Sequence, residues 1–284
     1  MVKNRWLLNL ALVLLVVVML AIVVYRPGTR PEPPASPLTT LTADAITRLR
    51  VLRPNQPEIA LEKSQGTWSM VAPHKARANM FRVNNLLALT TAKSASHFVA
   101  PATDLVKYGL DQPQTRVWLN DEEIRFGAMH PINPQYYVLV NGQVHLIASR
   151  YYSGAALAPA DFFSHQLLDD GLKPIAFSLP GFKLILDTRG AWQATPANKE
   201  LSSDRINTLV DEWLHAQALS VNEYSGKPAH EHVIIHFSED SPIKQLDIGI
   251  LAHKPELILY RPDEGLEYHF PEDVGTRLLQ LKPD

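Results

Sequence analysis

The spacing of apolar residues changes character along the chain, and each change marks an element. Leu7 to Val24 are apolar at every position but Asn9. As a helix these eighteen residues rise about 27 Å, enough to cross the hydrocarbon core of a bilayer. Further on, apolar and polar residues alternate through 46–51 (Ile-Thr-Arg-Leu-Arg-Val) and 58–62 (Glu-Ile-Ala-Leu-Glu), the period of half-buried strands. Gly66-Thr67-Trp68 supplies a turn. Met80, Val83, Leu86 and Leu87 then fall on one helical face, after which strand patterns return at 115–119, 123–127, 135–140 and 143–147. Asn141-Gly142 between the last two is a hairpin turn signal.

The same succession begins again near residue 175. Strand patterns at 175–179 and 182–186 lead to Gly190-Ala191-Trp192. Ser203-Asp204 then reads as an N-cap for a helix with Ile206, Leu209, Val210, Trp213 and Leu214 on one face. Residues 224–228, answering 108–113 of the first half, then lead into strand patterns at 232–237, 245–249, 256–260 and 266–270. Short helices are expected at 151–160 and 271–281. The pattern predicts an α+β fold: an N-terminal transmembrane helix, then a tandem duplication of a β-rich unit of two or three strands, one helix and four strands. The expected divisions are a transmembrane anchor at 1–25, a Pro-rich linker at 26–38, a first repeat at 39–165 and a second at 166–284. Trp68 and Trp192 are expected in equivalent, mostly buried places.

Lys3 and Arg5 precede the apolar run, as they would in a secretory signal, but the run exceeds the usual ~7–15 residue core of such signals. The exit, residues 21–27 (Ala-Ile-Val-Val-Tyr-Arg-Pro), lacks a small-x-small cleavage pattern. An uncleaved single-pass signal-anchor is therefore expected in the cell (inner) membrane, reached through Leu7 to Val24. The N-terminal charges place the body in the periplasm or outside the cell, although Arg26 and Arg30 lean the other way. Five prolines among residues 26–37 favour an extended spacer.

Charge is balanced, 27 basic against 29 acidic residues, so nothing points to a nucleic-acid partner. With no cysteine, disulfides, thiol catalysis and cysteine-ligated metals are excluded. The one histidine cluster is His230, His232 and His236, which share a face if the segment is a strand. Two such rings could hold a metal, yet a closed site needs further ligands and orienting carboxylates, so a solvated strand face is the competing reading. Ser241-x-x-Lys244 resembles an acyl-transferase motif without its companions. The acidic groups Asp169-Asp170, Asp121-Glu122-Glu123 and Glu239-Asp240 lie at strand ends or turns, where solvated carboxylates are ordinary, and Asp263-Glu264-Gly265 reads as the last hairpin turn. Tyr136, Tyr137, Tyr151 and Tyr152 flank the seam of the duplication; in each pair one ring is expected in the core, the other being a candidate partner-binding anchor. No cofactor is implied.

The run at 108–113 (YGLDQP), the Gly-x-Trp turn, 136–147 (YYVLVNGQVHLI) and 167–179 (LLDDGLKPIAFSL) together resemble the bacterial family called domain of unknown function 4340, over most of residues 41–270. The resemblance implies membrane-anchored extracytoplasmic modules, some encoded or fused near components of ABC-type export and gliding systems, and so an accessory role. It carries over no catalytic residue. The expected function is a non-enzymatic binding or scaffolding module with a protein partner in an envelope or export assembly. Two rivals stand beside it: a hydrolase or metal-dependent enzyme using the histidine face, and a lipid or polysaccharide carrier with a groove between the repeats.

Overall fold

The computed structural model describes residues 3–25, 36–197 and 201–281. Its first helix, α1 (Lys3–Tyr25), is long and apolar enough to cross a membrane. The span Trp6–Val23 has a mean hydropathy of 3.0, and none of it is buried among the described residues. The first half of the body holds β1 (Ser36–Pro37), β2 (Arg48–Leu52), β3 (Ile59–Ser64), β4 (Thr67–Ala72), β5 (Ala76–Arg77), α2 (Met80–Leu87), β6 (Lys93–Ser94), β7 (Ser96–Phe98), β8 (Thr115–Leu119), β9 (Glu122–Met129), β10 (Gln135–Val140), β11 (Gln143–Ala148) and α3 (Arg150–Ala155). The second holds β12 (Pro174–Leu179), β13 (Phe182–Leu186), β14 (Trp192–Thr195), α4 (Ser203–Leu214), β15 (Ser220–Glu223), β16 (Glu231–Phe237), β17 (Gln245–Ala252), β18 (Glu256–Arg261), β19 (Leu266–Pro271) and α5 (Glu272–Leu279).

The fold is α+β, with two large antiparallel sheets. One runs β5-β4-β3-β2-β8-β9-β10-β11-β7, the other β14-β13-β12-β16-β17-β18-β19-β15. Counted within its own half, the second order follows the first, without a counterpart of β5 among the described residues. Alternation explains the strands: in β2, Leu49 and Val51 are buried while Arg48 and Arg50 face solvent. The helices start where side chains satisfy their free amides. Asn79 Oδ1 accepts from the backbone N–H of Phe81 and Arg82, and Ser202 Oγ from Arg205. That second cap is one residue earlier than the sequence pattern placed it.

Helices α2 and α3 pack together in the first half, α4 and α5 in the second. The α4–α5 contact is fixed by Trp213, whose Nε1–H donates to the Leu278 carbonyl at 2.8 Å. Core residues of both halves form one continuous apolar cluster from Leu38 to Leu278. Trp68 lies inside it, 2 % exposed, whereas Trp192 is half-buried at its margin against Phe177.

Two segments differ from the sequence pattern. A strand the pattern did not predict, β15, precedes residues 224–228, and the chain leaves the sheet where Tyr224 stacks on Tyr260 and Ser225 N–H donates to Glu267. The helix expected at 151–160 ends at Ala155, with a separate 3-10 turn from Pro159 to Phe162, because a proline cannot continue a helix.

The segment before Gly109 is a 3-10 helix, Ala102–Tyr108, capped by Gly109 in the left-handed region. It lies on the helix-free face of the first sheet. There Tyr108 meets Phe98 and Tyr137 at centroid distances of 5.4 and 4.8 Å, and Leu110 and Val144 are buried apart from the main core. So close an approach demands glycine at 127, where a Cβ would come within 2.2 Å of the Tyr108 carbonyl oxygen.

Candidate functional site

The two halves meet at the β5 edge of the first sheet and the β15 edge of the second. The connector 162–167 runs between them and forms an isolated β-bridge to each side, Ala78 with Phe163 and Gln166 with Gln217. On one side Asn79 N–H donates to Phe162 O (2.7 Å) and Ser164 N–H to Arg77 O (2.9 Å). On the other, Leu167 N–H donates to Ala216 O (2.9 Å) and Ala218 N–H to His165 O (2.8 Å). The ladder then passes into β15 through Leu219 N–H and His269 O. Backbone hydrogen bonding therefore continues from one sheet to the other.

Arg77, on the short edge strand β5, crosses this seam. Its guanidinium forks onto Glu264 (Nε to Oε1 2.6 Å, Nη2 to Oε2 3.2 Å) and pairs through Nη1 with Asp169 at 2.6 Å. It also donates to the Gln166 carbonyl (2.8 Å) and the Tyr268 hydroxyl (3.0 Å). Arg261, with only 2 % of its side chain exposed, stands behind it, donating to Leu167 O at 2.7 Å and chelating Asp263. Tyr268 in turn donates to Glu264. Two guanidiniums thus face three carboxylates in a largely buried cluster, where each charge is held by hydrogen bonds as well as by its partner. Burial alone would raise the Glu264 carboxyl, but the Arg77 hydrogen bonds and both guanidinium charges outweigh it and hold its pKa below the usual range. Burial, with the Glu264 charge beside it, pushes the Tyr268 phenol up, so it stays a neutral donor. His74 adds a further tie across the seam, its Nε2 lying 2.6 Å from the Glu264 carbonyl.

Beside this cluster opens a cleft of about 570 Å³. Arg77 and Asp169 form part of its wall; Asn79, Ser164, His165, Asp170 and Gln217 add amide, hydroxyl, imidazole and carboxylate groups. His165 Nδ1 donates to the Ala218 carbonyl at 3.0 Å, which leaves Nε2 to act as an acceptor. Met80 and Phe81 stand exposed at the rim, with the Arg82 guanidinium 5.5 Å from the Phe81 ring. Polar groups around a partly apolar rim suit a ligand held by hydrogen bonds and one ring contact.

The residues singled out from the sequence lie elsewhere. His232 and His236 are exposed on β16, four positions apart and so about 13 Å along the strand. His230 precedes the strand. His232 Nδ1 is 2.7 Å from Asp247 Oδ1, and among the described residues no three His, Cys, Asp or Glu side chains gather as a metal would need. Tyr136 stacks on Tyr152 at 4.3 Å, Tyr151 is buried, and Tyr137 turns to the opposite sheet face, toward Tyr108 and His130. All four rings pack within the first half. Ser241 Oγ accepts from Lys173 N–H, while Lys244 turns to Glu239, so the two do not meet. Asp169 and Glu264, which the sequence offers only as turn carboxylates, are the acids that hold the seam.

No curated protein and no solved structure matches this chain. The family model described as Domain of unknown function (DUF4340) matches residues 68–231, from Trp68 through β5, the connector and α4 to the start of β16. That match takes in more than half of the sequence, including Arg77 and Asp169 at the seam, and the chain belongs to this family.

Proposed function

We propose that the protein is a membrane-tethered binding or scaffolding module, an accessory component of an envelope or export assembly, with its body outside the cytoplasm. The observation that carries this reading is α1, an exposed apolar helix long enough to span a bilayer and joined through a Pro-rich stretch to a β-rich body with a polar cleft. In this reading the body is two copies of one unit, 39–165 and 166–284. The common strand order supports that, as does a common entry: Leu38 N–H bonds Ala92 O just as Leu167 N–H bonds Ala216 O, both at 2.9 Å. The cleft between the copies is the ligand or partner site. Its lining favours the carbohydrate form of the carrier reading over the lipid form, since its groups are mostly hydrogen-bonding ones and Phe81 offers an exposed ring.

Protease added to intact spheroplasts should digest the body and leave a small membrane-embedded stub. A photo-crosslinking residue at Phe81 should then capture its ligand or partner in membranes, while the same residue at Ile185 in the second half should not. Full protection of the body would place it in the cytoplasm and remove the envelope role. Equal capture at both positions would remove the cleft as the binding site.

A further inference from the structure

We infer that the first half carries a second membrane contact, a seat by which the body rests on the bilayer that α1 spans. Four of the body's large apolar side chains project at the end of the first sheet farthest from the seam: Val99 (74 % exposed), Val106 (64 %), Met129 (52 %) and Ile132 (85 %). They surround one aromatic group. Tyr108 touches Phe98 and Tyr137, and His130 lies 5.6 Å from Tyr137 while its Nδ1 accepts from the backbone N–H of Ile132 and Asn133. The 3-10 helix 102–108 therefore presents Val106 beside the end of β9 and the β9–β10 turn, which present Met129 and Ile132. Exposed aliphatic loop tips around tyrosine rings make up the composition that settles at the boundary of headgroups and acyl chains.

The position of the tether selects the bilayer as occupant. Body residues begin at β1, whose Ser36 pairs with Ser94 on β6, and β6 leads directly into β7 and Val99. From Ser94 to Phe98 the chain covers about 13 Å. The ten residues between α1 and β1 span at most about 36 Å. The patch is therefore held within reach of the membrane surface at all times, and tethering raises the effective concentration of an otherwise weak contact. The exposed Lys93 on β6 adds attraction to anionic headgroups. The seat rests on α1 crossing a bilayer. It does not depend on which side the body occupies or on what the cleft holds.

The chain has no cysteine, so single cysteines can be introduced one at a time. The full-length protein, reconstituted in nanodiscs of phosphatidylcholine and phosphatidylglycerol, would carry an environment-sensitive fluorophore at Val106→Cys, Ile132→Cys, Ile185→Cys or Val16→Cys. Spin-labelled lipids should quench the probes at 106 and 132 at least about threefold more than the probe at 185, and the probe at 16 in α1 most of all. Quenching at 16 with none at 106 and 132 overturns the seat while leaving the anchor intact. Equal quenching at 106, 132 and 185 overturns it as well, since contact would then be unspecific. Absence of quenching at 16 overturns the anchor, and the seat with it.

Discussion

Arg77→Met should lower the melting temperature of the full chain by roughly 6–20 °C. Removing one partner of a buried ion pair typically costs about 3–5 kcal/mol, and in a body of this size each kcal/mol shifts the midpoint by about 2–4 °C. The loss is large because the substitution strips Glu264, Asp169, Tyr268 and the Gln166 carbonyl of one common donor. Methionine keeps most of the volume, so the change reads the charge and hydrogen bonds rather than a cavity. Arg77→Lys should recover only part of the loss, since an ammonium cannot fork onto the carboxylate. A double-mutant cycle with Glu264→Gln measured by thermal melts checks the assignment; additivity of the two substitutions would contradict a shared network. The acid limb provides a second readout. Glu264 has its pKa held below its ordinary value of 4.5 in the folded protein. Its stabilising contribution is thus fully present above that value and lost as pH falls through the lower folded one. Wild type should lose stability below about pH 4.5, and the Arg77→Met variant should show a shallower slope there, since Arg261 still faces Glu264 and other carboxylates titrate in both.

Trp213→Ala should be comparably severe. The ring is fully buried between Phe177 and the α4–α5 contact. Truncating a buried tryptophan costs about 3–5 kcal/mol, and the Leu278 carbonyl is left without its donor, worth a further ~1–3 kcal/mol where water cannot reach. Trp213→Phe separates the two effects, since it refills much of the cavity and loses only the hydrogen bond. Denaturant midpoints of the two variants measure each part. Equal losses would mean that the hydrogen bond, not the packing, dominates.

The regular elements were legible in the sequence because their causes are local. Alternation located β2, β3, β8 and β10, the spacing of Val83 and Leu86 located α2, and Asn141-Gly142 marked a hairpin whose two residues both adopt positive φ. The 3-10 helix before Gly109 was not legible. Its cause is tertiary, a close passage over Gly127 that no local pattern records. The seam was hidden for a similar reason. Arg77 lies in a short stretch between a strand and a helix with no period of its own, and Asp169 and Glu264 look like ordinary turn acids until the connector brings three distant segments together. The histidines drew attention by proximity in sequence, yet along a strand positions 232 and 236 stand apart.

The way the tether enters the body also decides how the protein bears load. Tension drawn along residues 26–35 arrives at β1, which is fastened to β6 by two residue pairs and followed by one hydrogen bond from Leu38. Beyond it, β2 is clamped on both sides, by β3 and by β8. Ile46 is fully buried and Asn120 holds Ala45 and Thr47, so residues 36–44 can peel away first, lengthening the leash by at most about 32 Å while both large sheets stay whole. In a single-molecule pulling experiment this slack should register as a short extension at low force, ahead of the rupture of the sheets. A single abrupt rupture would show instead that the leash and the fold fail together.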